Sequence, residues 1–424
     1  MSNKYEIAKD KADKIDCQII NVLQSKKNFR IEAGAGSGKT YSLNKVIDWL
    51  QDNCWNELQT KRQKVACITY TNTGVNVIAS RLRADSFIKP MTIHSFAWEL
   101  IKQFKNELKY AVIKNNKIPE GADMESFEEV QYTLGVRYIE NKVLYLYHDD
   151  VIFLFAKFLD NIKFRRLLTL QYPIILIDEY QDSLKIIIDQ FLNWYIEKGE
   201  GPQFGFFGDA WQTIYDKNSC GIIDSPNIIV IGKESNFRSE QVIVDALNNI
   251  RPELPQISAT DDNDGFIHVV ICNDYKGKRQ TRYYDGELPN EIITERVNKL
   301  QKILNERYGW SSNEDHITLM ITHKMLAKQQ NYEKLLVLLN ERLKDGEDAY
   351  LKFFSKTIEP LYAALEKKQM TQLFEVLGSN RYPIEYKRQK NRWNELKAQL
   401  ESARKNTVGD VMNVLYNNTT LQVF

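Results

Sequence analysis

The sequence predicts an α/β fold in which a parallel sheet, covered by helices on both faces, is centred on a phosphate-binding loop. Three observations carry that prediction. Short apolar runs recur without strict alternation, as in Val65-Ala66-Cys67-Ile68-Thr69, Ile174-Ile175-Leu176-Ile177 and Phe204-Gly205-Phe206-Phe207, and strands buried on both faces read this way. Segments of helical period separate these runs, the first of them placing Leu43, Val46, Ile47 and Leu50 on one face; strands alternating with helices give a parallel sheet. A glycine-rich turn, Ala33-Gly34-Ala35-Gly36-Ser37-Gly38-Lys39-Thr40, joins a short strand over 28–33 to that first helix.

In chain order, Asn-Phe-Arg-Ile-Glu-Ala over 28–33 is the first strand and Lys39 to about Leu50 the first helix. Val65–Thr69, Ile174–Ile177 and Phe204–Phe207 supply the next three strands. Residues 100–165 are charged and helical in pattern, with a break at Pro119-Glu120-Gly121-Ala122-Asp123, and read as a helical insertion between two strands of one sheet. The turn-forming stretch Asp261-Asp262-Asn263-Asp264-Gly265 precedes two candidate strands of a second α/β unit, Phe266–Ile271 and Ile317–Ile321. The layout expected is a first domain over 1–99 and 166–245, the insertion over 100–165, a partial second domain over 246–345 and a helical insertion of that domain over 346–424.

Composition narrows the function classes. Lys and Arg total 57 against 56 Asp and Glu, a net charge of +1, which excludes a uniformly basic nucleic-acid binder and leaves phosphate contacts to local patches. Two patches carry aromatics: Lys276, Lys278, Arg279, Arg282, Tyr283 and Tyr284, and Lys387, Arg388, Lys390, Arg392 and Trp393. A solvated loop and a solvated helix are the better explanation of them. The five cysteines form no CxxC pair, which favours reduced thiols over a disulfide scaffold or a zinc site. With no apolar secretory core and no uninterrupted apolar span, the expectation is a cytoplasmic protein without a membrane partner.

The loop from Ala33 to Thr40 has the chemistry of a P-loop. Glycines permit the tight turn, successive backbone N–H groups point at phosphates, and the helix N-terminus adds its partial positive charge. Lys39 is placed to reach the β- and γ-phosphates and the Thr40 hydroxyl to hold Mg²⁺. Ala33 stands where the pattern usually has glycine. The other half of such a site is an acidic pair closing a buried strand, and Ile174–Ile177 runs directly into Asp178-Glu179. Asp178 suits Mg²⁺, and Glu179 suits orienting or deprotonating the attacking water. ATP and Mg²⁺ are the cofactors expected.

With both halves present, the sequence resembles the UvrD/Rep/PcrA-type superfamily 1 DNA helicases. Gln18, fifteen residues before Ala33, occupies the place of the family's adenine-reading glutamine. Ile68-Thr69-Tyr70-Thr71-Asn72 and Thr92-Ile93-His94-Ser95-Phe96 resemble its first DNA-contacting motifs. Asp178-Glu179-Tyr180-Gln181-Asp182, Gly208-Asp209-Ala210-Trp211-Gln212-Thr213-Ile214-Tyr215 and Asn236-Phe237-Arg238-Ser239 resemble the next three, all in the family's order. The resemblance implies two RecA-like domains with ATP in the cleft between them and single-stranded DNA across the top. It further implies that Gln212 couples the γ-phosphate to DNA, that Phe237 stacks on adenine and that Arg238 is an arginine finger. Core packing for Phe237 and a helix N-terminal ion pair for Arg238 are the plain alternatives. Tyr70, Asn72, His94, Phe96 and Tyr215 take DNA-contacting places, and aromatic faces there stack on any base.

The chain also departs from the family. The aromatic run that usually follows Tyr215 is Asp216-Lys217-Asn218-Ser219-Cys220-Gly221, and Trp211 is no assured substitute. The last two family motifs do not occur before Phe424, so the second RecA-like domain is expected to be incomplete and strand separation by residues 1–424 alone weak. The leading expectation is an ATP-dependent DNA helicase and translocase moving 3′ to 5′ on single-stranded or tailed DNA. The rival is a DNA-sensing ATPase subunit that gates a partner nuclease without unwinding, as helicase-like subunits do in antiviral systems.

Overall fold

The structure is a computed structural model. It describes residues 3–309 apart from positions 84, 134–136, 214–217, 261–264, 272, 282–285 and 287, and beyond these residues 319, 326, 327, 332, 334, 358–366 and 387–416. The chain divides into two compact units, Met1–Tyr275 and Lys276–Phe424.

The first unit opens with α1 (Asn3–Gln24), β1 (Asn28–Ala33), α2 (Lys39–Asn53), α3 (Trp55–Thr60), β2 (Val65–Thr69), α4 (Asn72–Ala79), β3 (Ile88–Thr92) and α5 (Ile93–Ile101). There follow α6 (Lys105–Lys114), β4 (Glu129–Tyr132), β5 (Tyr138–Glu140), β6 (Val143–Leu146), α7 (His148–Leu159) and α8 (Ile162–Gln171). The unit continues through β7 (Ile174–Asp178), α9 (Lys185–Phe191), β8 (Gln203–Gly208), β9 (Ile228–Lys233), β10 (Ser235–Asn236), α10 (Gln241–Ile250) and β11 (Ile257–Ser258).

Six strands form one parallel sheet in the order β3-β2-β7-β8-β1-β9. This is the RecA-like P-loop core that the motifs imply. The β8 strand lies between β1, which leads into the P-loop, and β7, which ends at Asp178. Side-chain alternation sorts β1 between two cores. Phe29, Ile31 and Ala33 join Leu43, Val46, Ile47 and Leu50 of α2 on one face. The other face packs Ile175 and Ile177 of β7 and Phe204 and Phe206 of β8 against α5 and α7–α9. That second face also receives Arg30 and Glu32, each 8% exposed, as a buried ion pair at 3.0 Å.

The segment between β3 and β7 carries α5–α8 and also holds a small sheet in the order β4-β6-β5. Its strands alternate burial, with Leu144 and Leu146 inward, a period of two that the charged surroundings obscure. The first unit also runs past residue 245 to Tyr275. Hydrogen bonding ties residues up to Ser258 into it, since β10 pairs with β11 and Asn248 Nδ2 donates to Gln256 O at 2.8 Å.

Phe266–Ile271, expected as a strand, forms none. Its apolar side chains stay exposed, Val269 at 78% and Ile271 at 73%, and strand propensity is expressed only where such side chains find a surface to pack on. Residues 317, 318, 320 and 321 of the other candidate strand, and residues 282–284 of the first basic patch, lie outside the described residues. In the second unit the described helices are α11 (Asn290–Tyr308), α12 (Glu359–Glu366), α13 (Lys387–Arg404) and α14 (Val408–Tyr416). Gly309 ends α11 with a left-handed φ of 68°, and Arg404 of α13 pairs with Glu359 of α12 at 2.7 Å. Among the described residues, no helix is long and apolar enough to cross a membrane.

Candidate active site

Because all six strands of the main sheet are parallel, their C-terminal ends share one edge, where ligands of open α/β sheets bind. Register aligns the pieces: Glu32 of β1 lies opposite Gly208 of β8, and Asp178 of β7 opposite Phe207 of β8. The P-loop, the Asp178-Glu179 pair and the Asp209–Gln212 turn therefore start side by side.

The loop itself is built by left-handed glycines, with φ of 76° at Gly36 and 79° at Gly38. A Cβ on Gly36 would lie 2.5 Å from Asn236 Oδ1, and one on Gly34 2.5 Å from Gln256 Nε2. Gly36 needs glycine for close approach as well as for backbone angle, and Gly34 for close approach alone. Two groups grip the loop from behind: Asn236 Nδ2 donates to Ala35 O at 2.8 Å, and Phe237 N donates to Gly36 O at 2.9 Å. Ala33 is buried, Ala35 and Thr40 are exposed, and the Ser37 hydroxyl is buried without a partner in the described structure.

Lys39, at the start of α2, makes an ion pair with Glu179. Glu179 follows β7 with φ at 49°, a left-handed conformation that costs a non-glycine residue energy and often marks a functional position. Its Oε2 also accepts from Gln181 Nε2 at 2.9 Å, while Gln181 Oε1 accepts from Asp209 N at 3.1 Å. Asp209 Oδ2 accepts from Gln212 Nε2 at 2.7 Å. An unbroken line of hydrogen bonds thus joins Lys39, Glu179, Gln181, Asp209 and Gln212. Burial pushes the Asp178 carboxyl up to about 6, opposed by Lys39 and reinforced by Glu179. A cation beside Asp178 would favour its ionised form.

The donor set suits a nucleotide triphosphate with a divalent cation. The left-handed glycines form a cradle that a Cβ would fill, the Ser37 hydroxyl is a buried polar group awaiting a partner, and Asp178 is a carboxylate short of positive charge. Among the described residues no cluster of three His, Cys, Asp or Glu side chains could hold a metal unaided. The expected pair of Thr40 and Asp178 leaves other positions to phosphate and water, as Mg²⁺ sites commonly do.

The remaining expected residues divide. Phe237, 39% exposed, and exposed Arg238 lie beside the P-loop, with Tyr5 meeting Phe237 edge-on at 6.3 Å. Gln18 is exposed on α1. Asp16, buried two residues earlier, contacts the α2 side chains Ser42 and Lys45 instead. Tyr70 and Asn72 are exposed at the end of β2.

Phe96, expected against DNA, is wholly buried, edge-on to Tyr172 at 5.3 Å and Phe155 at 5.8 Å. Its place on α5 faces α7, so it is a core residue. The His94 ring stacks on His148 with centroids 3.3 Å apart, and burial, helped by that neighbour, pushes its pKa down to about 3. A neutral, packed imidazole offers no cation to a phosphate. Tyr215 lies outside the described residues, and Trp211 is 58% exposed.

Sequence reasoning passed over Glu32, Arg251 and Gln256, which complete this edge of the sheet. Only Glu32 left a signal, an acidic residue two places after a basic one inside a buried strand.

Several known proteins are similar to this chain. A family described as an AAA domain matches residues 17–218. Gabija protein GajB of Bacillus cereus (strain HuB5-5) is 24% identical over 421 residues, an alignment covering 76% of this chain. The chain spans 59% of that relative's length. Among solved structures, unliganded Pif1 from Bacteroides sp is 18% identical with a TM-score of 0.25, covering 60% of this chain and 46% of that one. Bacteroides Pif1 bound to ssDNA is 18% identical with a TM-score of 0.24, covering 57% of this chain and 46% of that one. The ordered motifs, the domain match and the curated relative support the resemblance to the UvrD/Rep-type superfamily 1 helicases.

Proposed function

We propose that this chain hydrolyses ATP with Mg²⁺ and couples hydrolysis to 3′-to-5′ movement along single-stranded DNA, separating strands as it moves. The observation that carries the reading is the line of contacts from Lys39 through Glu179, Gln181 and Asp209 to Gln212. It brings a phosphate-binding lysine, a candidate base and a candidate γ-phosphate sensor to one strand edge.

Each residue has a role in this reading. Backbone N–H groups of Gly34–Thr40 and the Lys39 ammonium bind phosphates, while Thr40 and Asp178 hold the cation. Mg²⁺ supplies charge neutralisation at the phosphates. Glu179 orients and deprotonates the attacking water, with Gln181 fixing its carboxylate. Phe237 flanks the base, and Gln18 is the adenine reader carried over from the family pattern. Arg238 supplies a cation beside the loop. Tyr70 and Asn72 offer an exposed surface to the DNA strand.

The second reading, an ATPase subunit that senses DNA and gates a partner nuclease, draws support from one observation. His94 and Phe96 are packed into the protein, which shortens the surface offered to a strand. Phosphate release with and without single-stranded DNA, run beside unwinding of a 3′-tailed duplex, separates the readings. DNA-stimulated release with unwinding supports the motor. Stimulated release without unwinding favours the second reading, and release indifferent to DNA contradicts both.

A further inference from the structure

We propose that Arg251, outside every helicase-like motif, is a positioning residue for hydrolysis: it fixes the Asp209 carboxylate that holds Gln212. The proposal rests on the ATPase reading above.

Arg251 follows the last residue of α10, and its side chain is only 14% exposed. All three guanidinium nitrogens are engaged. Nη1 donates to Asp209 Oδ1 at 2.6 Å, Nη2 to Glu32 Oε2 at 3.3 Å, and Nε to Glu253 Oε1 at 3.3 Å. Glu32 has other partners, the Tyr180 hydroxyl and Arg30. For Asp209, 2% exposed, Arg251 is the one ion-pair partner among the described residues.

The Asp209 side chain is the hub of its turn. Oδ1 also accepts from Trp211 N at 3.1 Å, and Oδ2 accepts from Gln212 Nε2 at 2.7 Å. The same residue's N–H donates to the Gln181 amide, which in turn donates to Glu179. A buried carboxylate deprived of its cation turns toward water or other donors, which removes the acceptor facing Gln212 and disturbs the peptide that orients Gln181. Lysine is a poor replacement, because a point charge cannot serve two carboxylates in the fixed fork of a guanidinium.

Position adds weight to the assignment. The stretch from Asn236 to Gln256 grips the P-loop at one end through Asn236 and reaches Asp209 at α10's other end through Arg251. The helix α10 thus lies between the contact to the phosphate loop, made by Asn236 ahead of it, and the contact to the Gln212 turn, made by Arg251 at its end.

The test compares wild type, Arg251→Lys, Gln212→Ala and the double variant by single-stranded-DNA-stimulated phosphate release, ATP affinity and thermal midpoint. Arg251→Lys keeps the positive charge and hence the fold. It should lower kcat roughly tenfold, as loss of an orienting partner commonly does, with KM for ATP within about twofold of wild type. In the double variant, Arg251→Lys should cost nothing beyond Gln212→Ala, since both act through one group. A merely structural role would shift the thermal midpoint and multiply the two losses. Wild-type kcat in Arg251→Lys, or multiplied losses in the double variant, overturns the assignment of Arg251 alone. Absence of turnover in wild type overturns the ATPase reading, and this proposal with it.

Discussion

Two stretches of the same sheet edge behave differently. At the ends of β1, β7 and β8, buried polar groups from distant parts of the chain meet through hydrogen bonds, as with Glu32, Gln181 and Asp209. At the end of β3, beneath α7, the motif residues are absorbed by packing: Phe96 into an aromatic core and His94 into a ring stack. The difference teaches what a motif specifies. Phosphate chemistry depends on backbone geometry and on charges that must be paired, so the motif and the candidate site coincide. Base contact depends on which side chains stay exposed, and an inserted domain can alter that without altering the motif.

Swapping the predicted roles of two aromatics tests the comparison most severely. Phe96→Ala should destabilise the first unit by about 3–5 kcal/mol, the usual cost of emptying an aromatic core position, read as a lower denaturant midpoint. Tyr70→Ala should leave that midpoint nearly unchanged and weaken single-stranded DNA binding by about 1–3 kcal/mol, the worth of one stacked base. An intact midpoint in Phe96→Ala with weakened DNA binding would return Phe96 to the DNA surface and erase the distinction drawn here.

A smaller, pH-dependent effect sharpens the comparison at His94. Its folded pKa is held down to about 3, against 6.5 for the free side chain. Between those values the unfolded chain binds more protons than the folded one, so stability falls as pH is lowered from about 6.5. Burial holds the His148 pKa down as well, and it acts in the same direction. The urea midpoint should drop between pH 7 and 5.5, and His94→Phe, which keeps a ring against His148, should reduce the drop. A midpoint flat across that range in wild type would show that the pair is not packed as described.

The candidate phosphate site was legible in the sequence because its demands are local. Glycines at 36 and 38, a lysine opening a helix and carboxylates ending an apolar strand are each required by short-range geometry. The tie from Arg251 to Asp209 was not legible, since its partners lie 42 positions apart and neither residue type is unusual where it stands. Phe96 misled for a related reason. An apolar residue in the first turns of α5 is compatible with a DNA surface or a core, and only the packing of α7 decides. Phe266–Ile271 has the composition of a strand, but composition does not supply a surface to bury its side chains, which stay exposed. The small sheet over 129–146 was hidden because three short strands within a charged segment carry too little alternation to stand out.

The central claim is that Lys39, Glu179 and their hydrogen-bonded neighbours form an ATP-hydrolysing centre. Glu179→Gln tests it most directly, because the amide keeps the shape of the side chain while removing the base. The measurement is ATP binding and DNA-stimulated phosphate release on the same preparation. ATP binding should persist while release falls by about 10²–10⁴-fold, the usual contribution of a positioned general base. Wild-type release in Glu179→Gln would contradict the account.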